Sequence, residues 1–205
     1  TGALSALAAE DGHLDPTARH SLIQTAHEEA ERLNRLVGNL LDMTRLEGGA
    51  LQVRREACDA EDLIGTSIGQ MDERLRGRNV KVDVPEDTPM VSADFVLMVH
   101  VLNNVLDNAL KYSPGASPLD VEARKQDGEV WISVLDRGIG IPSDDLEKVF
   151  DKFYRVHRPE SITGTGLGLA ICKGIVEAHG GRIWAEPREI KGTRITIALP
   201  VAEEA

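Results

Sequence analysis

The sequence predicts an α+β fold, a mixed sheet with helices on one face, preceded by a long helix of different character. Three observations predict it. An apolar stripe of helical period runs from Asp15-Pro16 to Gly48-Gly49. Beyond Gly49 the pattern changes to short alternating strands interleaved with three principal helices. Turn dipeptides such as Asp127-Gly128 then pair consecutive strands into hairpins.

In chain order, residues 1–9 are helix-compatible but begin without a cap, and Glu10 to Leu14 reads as a turn. Asp15 and Pro16 supply an N-cap and a first-turn proline. Leu22, Ile23, Ala26, Ala30, Leu33, Leu36, Val37, Leu40, Leu41 and Thr44 form the stripe. Arg19, Glu28, Glu31, Arg35 and Arg45 occupy the other face. At 1.5 Å per residue this helix is roughly 45 Å long and needs a partner helix. The expected organisation is a truncated helical hairpin over residues 1–49 and a second domain over residues 50–205. A long helix packed on its own domain is the alternative. In the second domain, Leu51–Glu56 alternates like a strand, and Asp59 caps a helix to about Leu75. Strands are expected at Val80–Val84 and Met90–Ala93, then a helix capped by Asp94 and running to Tyr112. Strands at Leu119–Lys125 and Val130–Leu135 precede a short helix at Ser143–Phe150. A helix beginning at the Gly164–Leu169 loop and stopped by Gly180-Gly181 leads to a last hairpin, Arg182–Glu186 and Thr193–Leu199.

Composition narrows the function. Hydrophobic residues make up 41% and charged residues 28%, which suits a globular domain with a sizeable core. A net charge of −11 argues against general nucleic-acid binding, which favours a basic footprint. The two cysteines, Cys58 and Cys172, lie far apart without metal-ligand spacing, and are expected to be free thiols. No run of 18 apolar residues occurs, and no signal peptide is expected at Thr1.

Four stretches carry chemistry. In the helix ending at Tyr112, Asn104 and Asn108 stand at i and i+4, so their amides project side by side. Asparagine is a mediocre helix former, and two on one ridge ask for a reason. An amide oxygen suits Mg²⁺, which keeps its waters and takes substrate phosphates. Lys111, one turn on, would neutralise a phosphate. At the end of the apolar strand Val130–Leu135, Asp136 begins the turn Asp136-Arg137-Gly138-Ile139-Gly140-Ile141-Pro142. A buried carboxylate there would accept from the exocyclic amine of adenine, and Gly138 and Gly140 would let a flat ring approach the backbone. An ordinary Asp-containing turn is the plainer reading. Aromatic residues make up only 3% of the chain, yet Phe150, Phe153 and Tyr154 fall together. They anchor a loop whose Lys152, Arg155 and Arg158 would form a cationic lid over phosphates. Finally, Gly164-Thr165-Gly166-Leu167-Gly168-Leu169 opens a helix. Backbone without Cβ atoms, free N–H groups and the positive dipole end together accommodate phosphate. A flexible loop would also explain it.

In this order, Asn-x-x-x-Asn-Ala-x-Lys-Tyr-Ser, Asp-x-Gly-x-Gly-Ile-Pro, Phe-x-x-Phe-Tyr-Arg and Gly-x-Gly-Leu-Gly-Leu resemble the N, G1, F and G2 boxes of bacterial sensor histidine kinases. The wording from Phe150 to Gly181 resembles the KdpD-type osmosensitive potassium sensors most. The resemblance implies a Bergerat (GHKL) two-layer α/β sandwich, preceded by part of an antiparallel dimerisation and phosphotransfer hairpin. It implies ATP and Mg²⁺ as cofactors, with Asn104 and Asn108 as the metal-associated pair. Lys111 and Tyr112 would contact the nucleotide, Asp136 would take the adenine amine, and Gly138 and Gly140 would line the base. Phe150, Lys152 and Arg155 of the F box, and Gly164, Thr165, Gly166, Leu167 and Gly168 of the G2 box, complete the implied site. The loop is not a P-loop, since no Gly-Lys-Ser/Thr follows.

The implied partners are a response-regulator receiver domain and a second copy of the chain through the hairpin. No nucleic acid is implied, and membrane only through segments outside this chain, whose parent would be a cytoplasm-facing inner-membrane sensor. One departure matters. No histidine here sits in the family's His-Glu/Asp-Leu-Arg-Thr-Pro context. His27-Glu28-Glu29 is followed by Ala30-Glu31-Arg32, so the phosphoacceptor is expected upstream of Thr1, and this chain is expected not to phosphorylate itself. A GHKL ATPase switch and a nucleotide-independent docking module are the alternatives.

Overall fold

A computed structural model of the chain describes residues 15–156 and 165–203. The expectations for residues 1–14 and for His157, Arg158 and Gly164 lie outside the described residues. The chain divides into two units, residues 1–44 and 45–205.

Helix α1 (Pro16–Glu47) forms as the stripe predicts. Ile23, Leu33, Val37, Leu40 and Leu41 on it are about half exposed. Its end follows from glycine: Gly49 adopts φ 62°, and the N–H groups of Gly49 and Ala50 donate back to the Leu46 and Arg45 carbonyls at 3.2 and 2.9 Å. Among the described residues no helix is long and apolar enough to cross a membrane.

The second unit runs β1 (Glu56–Cys58), α2 (Ala60–Gln70), α3 (Asp72–Leu75), β2 (Val80–Asp83), β3 (Val91–Ala93), α4 (Phe95–Tyr112), β4 (Leu119–Gln126), β5 (Glu129–Leu135), α5 (Gly168–Ala178), β6 (Arg182–Pro187) and β7 (Thr193–Pro200). Five strands form one mixed sheet in the order β2-β4-β5-β7-β6. β2 is parallel to β4 and the other pairings are antiparallel. β1 and β3 form a separate antiparallel pair. This is the expected α+β architecture.

Three elements differ from expectation. The strand expected at Leu51–Glu56 pairs only from Glu56 to Cys58, because its partner β3 is three residues long and the Arg54 N–H is already taken by Asp94 Oδ2 at 3.1 Å. The helix expected to reach Leu75 breaks at Met71, whose φ of −107° and ψ of 10° are not helical. The helix expected at Ser143–Phe150 is two 3₁₀ turns, Ser143–Asp145 and Lys148–Phe150. Adjacent Asp144 and Asp145 favour turns over a continuous helix.

Alternation along the strands sets the layers. Leu119, Val121 and Ala123 of β4, Val130, Ile132 and Val134 of β5, and Ile195, Ile197 and Leu199 of β7 are buried together. Val101, Leu102, Val105 and Leu106 of α4 and Ile171, Ile175 and Val176 of α5 complete this core. Burial of each large side chain contributes about 1.5–3 kcal/mol. The other sheet face is polar and ion-paired, with Arg194 to Glu122 at 2.8 Å and Arg137 to Asp120 at 2.9 Å. Trp131 and Trp184 meet there edge to face, ring centroids 4.8 Å apart.

Two residues tie the ends of α4 and α5 together. Asp94 caps α4 by accepting from the Leu97 N–H at 3.2 Å through Oδ1, while Oδ2 holds Arg54. Asp94→Ala is expected to cost about 1–2 kcal/mol, read as a lower urea midpoint at unchanged slope. His179, fully buried, accepts the Asp94 N–H at Nε2 (3.0 Å), and its Nδ1 lies 2.7 Å from the Ile175 carbonyl. This geometry requires the neutral ring with its proton on Nδ1. Burial pushes the His179 pKa below the usual 6.5, with the Arg55 charge acting in the same direction and Ile175 and Asp94 opposing. The unfolded chain therefore takes up this proton first as pH falls. Stability is expected to hold above pH 6.5 and decline below it, and urea midpoints at pH 7.5 and 5.5 check this. His179→Gln should shrink the difference between the two midpoints.

Candidate functional site

The site is assembled along α4, whose two halves touch the two loops that flank it. Near its middle, Asn104 Nδ2 donates to the His100 carbonyl at 3.1 Å. That bond leaves Oδ1 facing the start of α5, where a methyl placed on Gly168 would stand 3.4 Å from it. Asn108, one turn on, is half-buried on the same ridge. At the far end, the Tyr112 carbonyl accepts the Ile139 N–H at 3.2 Å. A Cβ on Gly138 would lie 2.3 Å from that carbonyl and 2.8 Å from Asp136 Oδ1. From Tyr112 to Asn104 is about 12 Å along the axis. The Asn ridge, the acidic turn and the glycine loop thus adjoin one helix.

Asp136 is 7% exposed. Its Oδ1 accepts the Gly138 N–H at 2.6 Å, and its own N–H donates to the Thr193 carbonyl at 2.9 Å. Burial raises its pKa above the ordinary 3.8, against the opposing pull of the Gly138 and Thr193 hydrogen bonds and the Arg188 charge. Arg188 Nη1 also donates to the Asp136 carbonyl at 3.0 Å, and Gly192, at φ 109°, leaves room that a Cβ would fill 2.1 Å from that oxygen. The β6–β7 turn is therefore a buttress for Asp136. Gly140 adopts φ 75°, as a glycine in such a turn can.

On the other side, Gly166 adopts φ 71°, and a Cβ there would meet the Phe153 main chain at 2.7 Å. Phe153 N–H donates to the Gly166 carbonyl at 2.9 Å, so the aromatic stretch and the glycine loop are laced together. Phe150 is the buried anchor, while Phe153 is 69% exposed at φ 62°. Tyr154 donates to Asp145 Oδ1 at 2.6 Å. Thr165 Oγ1 accepts the Leu167 N–H at 3.3 Å, and Leu167 is buried. No side chain caps α5 at Leu167, which leaves the first-turn N–H groups of Gly168 onward to a ligand.

The cations sit differently from the phosphate roles expected of them. Lys111 is ion-paired to Asp107, which Arg74 also holds. Burial works against the Asp107 charge, but Lys111 and Arg74 outweigh it and hold its carboxyl below the usual range. Lys152 Nζ lies 2.5 Å from Glu47 Oε1. Each would have to leave its carboxylate to meet a phosphate. Arg155 is exposed. Among the described residues no cluster of three His, Cys, Asp or Glu could hold a metal. Cys58 and Cys172 are free and buried; burial pushes the Cys172 thiol up to about 12, so it stays protonated.

The sequence reading missed Arg78. It was a turn residue there, but its Nη2 reaches the Leu110 and Ser113 carbonyls at 3.3 and 3.2 Å and its Nη1 the Ser117 carbonyl at 3.4 Å. It satisfies the free carbonyls at the C-terminus of α4 and fixes the end that meets Asp136.

Residues 93–203 match the family described as histidine kinase-, DNA gyrase B-, and HSP90-like ATPase. The chain is 40% identical over 188 residues to the sensor histidine kinase WalK of Bacillus subtilis (strain 168), covering 89% of this chain and 31% of that protein. It is 35% identical over 201 residues to the sensor protein KdpD of Clostridium acetobutylicum, covering 97% and 22%. Among solved structures, the mycobacterial sensor histidine kinase MprB aligns at 32% identity and TM-score 0.65, over 74% of this chain and 100% of that one. Full-length ShkA in complex with AMPPNP aligns at 26% identity and TM-score 0.76, over 94% and 40%. The chain spans less than a third of the WalK and KdpD relatives, and both types stand beside it without singling out the KdpD type. The family match takes in more than half of the chain, which belongs to the histidine kinase-, DNA gyrase B-, and HSP90-like ATPases.

Proposed function

We propose that residues 50–205 are the catalytic ATP-binding portion of a two-component sensor histidine kinase, and residues 1–49 part of its dimerisation and phosphotransfer hairpin. The observation that carries this reading is the double contact of α4, with Gly168 beside Asn104 and with Gly138 beside Tyr112 and Asp136. One extended ligand lying along α4 would place a base against Asp136 and phosphates against the start of α5. ShkA, a structural relative, carries AMPPNP, which supports the same ligand class here.

The residues fit a Mg²⁺–nucleotide. Asn104 has an amide oxygen turned to the glycine loop, and Asn108 stands beside it; such neutral oxygens suit Mg²⁺. When bound, the metal supplies charge neutralisation on the phosphates. Asp136 accepts from the base amine and fixes the nucleotide's register. The backbone N–H groups of Gly166 and Gly168 hold phosphate oxygens without side-chain obstruction. Catalysis is then positioning and charge stabilisation, as phosphoryl transfer requires. The γ-phosphate passes to a histidine outside these 205 residues and from there to an aspartate of a receiver domain. The half-exposed stripe of α1 supports a hairpin partner and a homodimer in the parent protein. This portion works on the cytoplasmic side of an inner-membrane sensor.

The test is incubation with γ-labelled ATP and Mg²⁺, with and without a separately supplied helical hairpin that carries a phosphoacceptor histidine. Label on the added hairpin and none on this chain is the expected result. Steady hydrolysis that ignores the acceptor, acid-labile label on His27, or no nucleotide binding by calorimetry would each overturn the reading.

A further inference from the structure

The polar face of the sheet carries a groove of about 370 Å³, lined by Lys81, Asp120, Leu135, Arg137 and Arg188 among others. Strand register builds it. Lys81 of β2 pairs with Asp120 of β4, and Asp120 with Leu135 of β5, so the three form one row across the sheet. Leu135 is buried and supplies an apolar floor. Arg137 and Arg188 reach the row from the turns that follow β5 and β6. Two further carboxylates at the groove, Asp83 and Glu122, are ion-paired to Arg124 and Arg194. Asp120 Oδ2 is shared by two guanidiniums, Arg137 at 2.9 Å and Arg188 at 3.5 Å. Lys81 beside them has no ion pair among the described residues. Three cations thus stand against one carboxylate, a local excess of two positive charges in a chain of net charge −11. Donors remain as well. A guanidinium carries five N–H donors, and beyond Asp120 Arg137 engages only the Pro118 carbonyl and Arg188 only the Asp136 carbonyl.

We infer that this groove binds a small dicarboxylate. One carboxylate lies in the forks of Arg137 and Arg188, whose planar geometry suits it. The other meets Lys81, and the short carbon stem between them covers Leu135. A monocarboxylate would neutralise half of the excess charge, and inorganic phosphate brings charge without an apolar stem. Arg188 also donates to the Asp136 carbonyl at 3.0 Å. An anion held in the groove draws on the guanidinium that supports the base-binding turn, so dicarboxylate and nucleotide oppose each other. That consequence rests on the nucleotide reading above, whereas the binding of the dicarboxylate does not.

Two-dimensional NMR of the full chain, titrated with succinate at constant ionic strength, tests it. The backbone amides of Lys81, Arg137 and Arg188 are expected to shift together and saturate, with a dissociation constant on the order of 1 mM, as a few exposed ion pairs allow. Lys81 is exposed, so Lys81→Gln should leave the melting temperature unchanged while weakening succinate binding about fivefold, and Lys81→Arg should restore it. No saturable shift, or binding unaltered in Lys81→Gln, would overturn the site. Acetate or inorganic phosphate binding as tightly as succinate would overturn the dicarboxylate class. Saturating succinate, with Mg²⁺ in excess, should also weaken binding of an ATP analogue about fivefold. An unchanged nucleotide constant in a chain that binds succinate would overturn the opposition between the two ligands. Failure to bind nucleotide at all would overturn the nucleotide reading and leave the groove standing.

Discussion

Replacing Asp136 with asparagine is expected to weaken binding of an ATP analogue by about 10- to 100-fold while leaving the melting temperature close to that of the original chain. Asparagine keeps the shape and an oxygen for the Gly138 N–H, which now lies 2.6 Å from Oδ1. It loses the charge that strengthens a hydrogen bond from the base amine. Such a charge-assisted bond is worth about 1.5–3 kcal/mol, which sets the expected fold-change. Removing a buried carboxylate whose pKa burial already raises should not harm the fold. The same upward shift gives a pH signature. Binding needs the ionised form, so in the original chain it should weaken on acidification at a pH above the ordinary 3.8, and Asp136→Asn should lack that limb. Calorimetric titrations across pH read both effects.

The second large effect is expected at Gly138. An alanine there would push its Cβ to 2.3 Å from the Tyr112 carbonyl and 2.8 Å from Asp136 Oδ1. Neither can yield cheaply. The Tyr112 carbonyl belongs to the end of α4, which Arg78 holds in place, and Asp136 is pinned by Thr193 and Arg188. Gly138→Ala is therefore expected to cost about 1–3 kcal/mol of stability, the range for overpacking, and to abolish measurable nucleotide binding at micromolar concentrations. Gly115→Ala is the matched control: nothing lies within 4 Å of its Cβ position. It should leave binding unchanged. Parallel urea melts and titrations of the two variants separate a damaged site from a damaged fold.

These expectations turn on local geometry that the sequence revealed unevenly. α4 was legible because Asp94 announces its start and Val101, Leu102, Val105 and Leu106 repeat at helical spacing. The strand β4 was legible because only one of its faces is buried, which forces alternation, whereas β5 and β7 are buried nearly throughout and were marked by their β-branched residues and bounding turns. The four motifs were legible through their order and spacing along the chain, since alone each also had a plain reading as a turn, a loop or a surface helix. What escaped was contact between distant residues. Nothing around Arg78 signals that it caps a helix ending 35 positions later at Ser113. Arg188 and Gly192 form an ordinary hairpin turn in sequence, and only the fold brings them beneath Asp136. Lys111 and Lys152 were read as phosphate ligands from charge and position alone, whereas Asp107 and Glu47 hold them in this structure. The short pieces between Ser143 and Phe150 were read as a helix because residue composition does not separate one turn of 3₁₀ from one turn of α.

The claim that three segments serve one ligand is tested most directly by two-dimensional NMR, titrating the chain with Mg²⁺ and a non-hydrolysable ATP analogue. The backbone amides of Asn108, Gly138 and Gly166 should shift together and fit a single dissociation constant. Shifts confined to one of the three, or three unrelated constants, would contradict a shared nucleotide site.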